Sequence, residues 1–142
     1  MPTKVLPKRN IAKSLTWRLI GALDLFAVSW FFTGDPTSGL KMGVADTLTK
    51  LVFYYIHERI WVHIDLRKHS TFQQSRKRHI SKAITWRLFS TLWTIVLGWV
   101  LLGDLWSGTK ISLVESVIQL VLYYFHERVW HRSRYGIVEE DE

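Results

Sequence analysis

Two His-Glu pairs, His57-Glu58 and His126-Glu127, each stand in a Tyr-Tyr-x-His-Glu-Arg-x-Trp segment. A His-Glu pair alone is not a metal site, because a zinc-protease helix needs a second histidine four residues on, and Trp61 and Trp130 occupy those positions. Metal hydrolysis is therefore not expected. A porphyrin held between His57 and His126 is the alternative use of the pair, weighed against interfacial histidines with no ligand. No cofactor is expected. The chain has no cysteine, which removes thiolate metal sites, disulfides and a cysteine nucleophile. No nucleophile, metal cluster or nucleotide-binding loop marks it as an enzyme.

A second set of reactive groups lies inside apolar runs. Asp24, Asp46, Lys50 and Glu115 interrupt stretches that otherwise carry few charges, and charge within a membrane is costly unless it is paired or faces a bundle interior. The apolar stretches are Leu15 to Thr33, Leu40 to Trp61, Ile84 to Leu102 and Thr109 to Trp130. Each approaches the ~20 residues that span a bilayer as a helix. The mean hydropathy of +0.05 conceals them, since long apolar runs are averaged with densely charged flanks.

Shifting the chain by 69 residues aligns Lys8–His63 with Lys77–Arg132 without a gap, and 23 of the 56 pairs are identical. The chain is an internal duplication. Thr16-Trp17-Arg18 matches Thr85-Trp86-Arg87, Gly34-Asp35 with Ser38-Gly39 matches Gly103-Asp104 with Ser107-Gly108, and the Tyr-Tyr-x-His-Glu-Arg-x-Trp segments match each other. The Gly-Asp-x-x-Ser-Gly segments read as tight turns. The expected fold is all-α: four transmembrane helices as two tandem hairpins, residues 8–66 and 77–135, with a linker at 67–76 and an acidic tail at 136–142.

Sixteen of the 19 Lys and Arg fall in the two terminal segments, the linker or the adjacent helix ends. This is the positive-inside distribution, so both termini and the linker are expected in the cytoplasm and the turns outside, in a multi-pass protein of the cell (inner) membrane. It also accounts for the net charge of +7 without nucleic acid. Trp17, Trp61, Trp86 and Trp130 then mark the cytoplasmic headgroup level, where anionic lipid is the expected neighbour. A cleavable signal peptide is the alternative for the first segment, but it lacks a persuasive small-residue cleavage site. Because each repeat holds an even number of spans, the copies share one polarity, and their pseudo-twofold runs along the membrane normal.

The doubled pattern K-x-x-T-W-R, G-D, S-G-x-K and Y-Y-x-H-E-R-x-W resembles the DUF2061 family of small prokaryotic membrane proteins. The resemblance covers nearly the whole chain outside the tails. It implies no biochemical activity and supplies no catalytic residues. Some members are fused to, or encoded beside, sulfate-activation enzymes such as adenylylsulfate kinase, which implies a link to sulfur metabolism.

In a hairpin centred near residue 36.5, residues at one level have numbers summing to about 73. This places Arg18 near Glu58 and Arg87 near Glu127, the expected cytoplasmic clamps within each repeat, with anion binding as the other use of these arginines. The same arithmetic sets Asp24 opposite Lys50, and both are lost together in the second repeat, as Trp93 and Gln119. An Asp24–Lys50 pair is expected, with Asp46 at i−4 as the competing partner of Lys50. That pairing leaves Asp46 and Glu115, equivalent under the shift, as an ion or proton site. The functional expectation is a small-ion transporter or channel, assembled as a homo-oligomer because four short helices enclose little volume. The alternative is a non-catalytic scaffold that recruits a cytoplasmic enzyme to its basic face.

Overall fold

The repeated Gly-Asp-x-x-Ser-Gly segments are turns in which glycine, aspartate and serine each have a local task. Gly34 and Gly103 adopt φ of +69° and +73°, the left-handed region that ends a helix, and their N–H groups bond back to Trp30 and Trp99 carbonyls at 2.8 and 2.9 Å. The next residue caps the following helix. Asp35 accepts from the Thr37 and Ser38 N–H groups at 3.1 Å each, and Asp104 from Trp106 and Ser107 at 3.1 and 3.0 Å. The Ser38 and Ser107 hydroxyls bond the same carboxylates at 2.8 and 2.6 Å.

These bonds, that of the serine hydroxyl first, hold both aspartates below the usual carboxylate range. A group whose folded pKa is depressed adds stability above its unfolded pKa and loses it as pH falls through the folded one. The double variant Asp35→Ala with Asp104→Ala should thus melt lower at neutral pH than the wild type, and the gap should close in acid. Thermal melts across acidic to neutral pH check this, and a gap independent of pH would contradict it.

A computed structural model describes residues 3–67 and 72–139. Four helices follow in order: α1 (Pro7–Thr33), α2 (Pro36–Arg67), α3 (Phe72–Leu102) and α4 (Leu105–Arg132). At 27 to 32 residues they are about 40–48 Å long. Each packs on two neighbours in a closed order, α1 on α2, α2 on α3, α3 on α4 and α4 on α1. Two tandem hairpins are thus present as expected. The basic stretch read as a linker is partly helical, since α3 begins at Phe72; residues 68–71 lie outside the described residues.

The termini add an element with no signal in the apolar pattern. Strand β1 (Thr3–Val5) pairs antiparallel with β2 (Ile137–Glu139), so part of the expected acidic tail is a strand, and residues 140–142 lie outside the described ones. Arg9 fastens this clip, its guanidinium bonding the Ser133, Tyr135 and Trp130 carbonyls at the end of α4.

Packing between helices is inside-out relative to a soluble bundle. Asp24, Asp46, Glu115, Ser29, Thr94, Ser112 and His126 are buried, whereas Leu19, Leu48, Leu88, Leu92, Val117 and Leu120 are each about 60% exposed. The buried apolar core is small: Leu25, Val28, Met42, Leu97 and Ile111, all in the half of the bundle nearer the turns. Contact at the turn ends is made backbone to backbone through glycine. A Cβ on Gly39 would meet the Phe26 carbonyl at 2.7 Å, and one on Gly108 the Ile95 carbonyl at 2.7 Å.

By length and composition, α1 and the segment Lys77–Leu102 of α3 qualify as membrane spans. The described parts of α2 and α4 do not reach the same hydropathy. Their averages include Asp46, Lys50 and Glu115, which the fold places in the interior rather than on the apolar exterior.

Candidate functional site

All four helices contribute to one buried polar cluster at mid-bundle. On α2, Asp46 and Lys50 stand one turn apart and form an ion pair of 2.8 Å. Thr94 of α3 bridges them: its hydroxyl donates to Asp46 Oδ1 at 3.1 Å and accepts from Lys50 Nζ at 3.0 Å. On α4, Glu115 Oε1 accepts from the Gln119 amide at 2.6 Å, and Gln119 in turn accepts from Arg87 at 3.1 Å. Glu115 lies within electrostatic reach of Lys50, Asp46, Asp24 and Arg87.

The expected Asp24–Lys50 pair is not formed. Lys50 turns to Asp46, and Asp24 on α1 is buried with its Oδ2 unbonded. The reason is azimuthal. Levelling gives height along a hairpin but not which neighbour a side chain faces. Trp93, the equivalent of Asp24, shows the direction: it points across the repeat boundary, its indole donating to Thr49 at 2.8 Å and its ring packing on Phe53 at 4.7 Å. Joint loss of Asp24 and Lys50 in the second repeat therefore does not record a contact. The two acids expected as an ion site, Asp46 and Glu115, do fall in one cluster.

The expected clamps within repeats, Arg18 to Glu58 and Arg87 to Glu127, are likewise replaced by clamps between repeats. Glu58 pairs with Lys82 at 2.6 Å and Glu127 with Lys13 at 2.8 Å, linking α2 to α3 and α4 to α1. Each clamp has a histidine beside it. His57 Nε2 lies 3.0 Å from the Thr85 hydroxyl and His126 Nε2 2.9 Å from that of Thr16, while Trp61 and Trp130 donate to the same nitrogens at 3.2 and 3.1 Å. These contacts map onto one another under the 69-residue shift, so the pseudo-twofold of the sequence is a symmetry of the packing. It also places the histidines in two different interfaces, α2 with α3 and α4 with α1, where each Nε2 already meets a threonine hydroxyl and a tryptophan N–H. Among the described residues no group of three or more His, Asp or Glu is placed to hold a metal ion.

Residue type alone does not point to Lys13, Lys82, Thr16, Thr85, Thr94 or Gln119. For Lys13, Lys82, Thr16 and Thr85 a signal does exist, since each is identical between repeats, as are the glutamates and histidines they meet.

Between the cluster and the helix ends remote from the turns lies a cavity of about 600 Å³. Its lining is itself paired by the duplication: Trp17 with Trp86, Arg18 with Arg87, Tyr54 with Tyr123, and Lys50 with Gln119. Asp46 stands at its floor. Beyond the floor, the Leu25, Met42 and Ile111 core and the glycine contacts close the bundle toward the turns. Arg18 faces the cavity with its guanidinium 5.7 Å from the Tyr54 ring.

No curated protein and no solved structure matches this chain. A family model does, twice: the model of DUF2061, described as a predicted membrane protein, covers residues 11–62 and again 80–131, which are ranges offset by the same 69 residues. With both hairpins matched across their helices and turns, the chain belongs to the DUF2061 family of predicted membrane proteins, in two tandem copies.

Proposed function

We propose that this protein is a small membrane transporter of four spans, whose cavity is a vestibule open to the cytoplasm and whose ion-responsive element is the cluster of Asp46, Lys50, Thr94 and Glu115. The observation that carries this reading is the combination of a vestibule with charged side chains in its wall, an acid at its floor and an apolar plug along one axis. Such an arrangement leaves an ion accessible from one side and blocked on the other, as alternating access requires. The inside-out packing supports four spans. The mid-helix charges Asp46 and Lys50 of α2 and Glu115 of α4 are paired or buried within the bundle, as charge inside a membrane requires. The Lys- and Arg-rich helix ends favour a vestibule on the cytoplasmic side. The cavity lies within a single chain, so this reading needs no oligomer to enclose a path.

Glu115→Gln tests the cluster without stranding Lys50, since the Asp46–Lys50 pair stays intact. Purified protein in liposomes should show ion flux that depends on pH, and Glu115→Gln should lower it at least tenfold while thermal stability in detergent is kept. Wild type without flux in sodium, potassium, proton, chloride, phosphate and sulfate gradients would overturn the transport reading. It would favour the scaffold that recruits a cytoplasmic enzyme.

A further inference from the structure

The vestibule wall carries two guanidinium groups that form no ion pair with the described carboxylates. Lys50 is compensated by Asp46 at 2.8 Å, but among the described residues no carboxylate lies within ion-pair distance of Arg18 or Arg87. Arg18 has the face of Tyr54 at 5.7 Å, and Arg87 has a neutral amide oxygen of Gln119 at 3.1 Å. The duplication relates these two guanidinium groups, so they approach one cavity from α1 and α3, opposite walls of the bundle. Two cations without a carboxylate partner in the wall of one cavity repel one another. An anion between them removes that cost. The guanidinium fork matches the edge of a tetrahedral oxyanion, and about 600 Å³ admits such a group with its remaining water.

We propose that the vestibule binds one oxyanion of the phosphate or sulfate type between Arg18 and Arg87. The inference rests on the vestibule described above but not on transport. Two sources supply that chemistry, a free ion from the cytoplasm and the phosphate of an anionic lipid headgroup, and both reach a site at this depth.

The test uses the full chain in a neutral maltoside detergent. In one arm, sodium phosphate and sodium sulfate are titrated by calorimetry at constant ionic strength. In the other, short-chain phosphatidylglycerol is titrated against phosphatidylethanolamine. Saturable binding is expected in at least one arm, weakened tenfold or more by Arg18→Gln and by Arg87→Gln. Arg59→Gln, which alters an exposed arginine on Tyr55 outside the cavity, should leave it unchanged. Response to the inorganic ions assigns the site to a free oxyanion, and response to phosphatidylglycerol alone assigns it to a headgroup. Ala83→Glu guards against loss of fold in the arginine variants: it keeps both arginines but brings a carboxylate to the vestibule wall, and should abolish binding. Absence of saturable binding in both arms, or equal affinity in wild type and in folded Arg18→Gln and Ala83→Glu, would overturn the proposal. Binding that needs the arginines without any flux would keep this site and remove transport; flux without such binding would do the reverse.

Discussion

Lys50→Gln alone should destabilise the folded chain by about 3 kcal/mol, because it leaves the buried Asp46 carboxylate without its cation. The compensated variant is already present in the other repeat. Asp46→Glu with Lys50→Gln copies Glu115 and Gln119, whose amide-to-carboxylate bond of 2.6 Å replaces the ion pair one helical turn apart. That double variant should return to within about 1 kcal/mol of wild type, the non-additivity expected of two residues in contact. Asp24→Asn supplies the contrast. Asp24 has a buried, unbonded oxygen and does not touch Lys50, so the change should be neutral or stabilising. Reversible unfolding in mixed detergent micelles measures all three, and equal losses from Asp24→Asn and Lys50→Gln would restore the Asp24–Lys50 pairing.

Gly108→Val should cost more still, parting the second hairpin. A Cβ on Gly108 would stand 2.7 Å from the Ile95 carbonyl oxygen and 3.1 Å from the Trp99 nitrogen, and one on Gly98 would stand 2.5 Å from the Gly108 Cα. All of these are backbone atoms, so no rotamer change relieves the overlap and the helices themselves must separate. Overpacking by one methylene costs about 1–3 kcal/mol. Valine adds two methyls beyond the Cβ and should leave no folded hairpin. In lipid, where apolar burial between helices adds little, close approach through small residues is what binds a hairpin together. Gly34→Ala isolates the other property of glycine. Nothing lies within 4 Å of its Cβ position, and the cost is only that of a φ of +69°, about 1 kcal/mol. Equal stability of Gly108→Val and Gly34→Ala would show that the close approach is not required.

These two expected outcomes separate what the residues disclose locally from what they do not. The turns are legible in full, since left-handed glycine, capping aspartate and serine act within six residues of chain. The duplication and the height of each residue along its hairpin are legible too, because a helix rises by a constant amount per residue. Direction around the helix axis is not. Glu58 stands at the level of the α1 residues near Ser14, yet it turns to Lys82 on α3, and Lys50 turns along its own helix to Asp46. Charge type and level leave such partners degenerate, and packing between repeats chooses among them. The clip of β1 and β2 is hidden for a different reason. Strands of three residues have too few positions for an alternating pattern, and their pairing joins the two ends of the chain.

A four-span bundle whose vestibule opens to the cytoplasm is open to direct test, because a chain with no cysteine offers a clean background for labelling. Single cysteines are introduced at Thr37 and Leu105 near the turns, at Ser14 in the vestibule and at Lys77 at the opposite end of the bundle. A membrane-impermeant maleimide is then applied to intact cells and to inverted vesicles. Labelling of Thr37→Cys and Leu105→Cys in cells, and of Ser14→Cys and Lys77→Cys only in inverted vesicles, is the predicted result; labelling of Ser14→Cys in sealed cells, or of all four positions from one side, would contradict it.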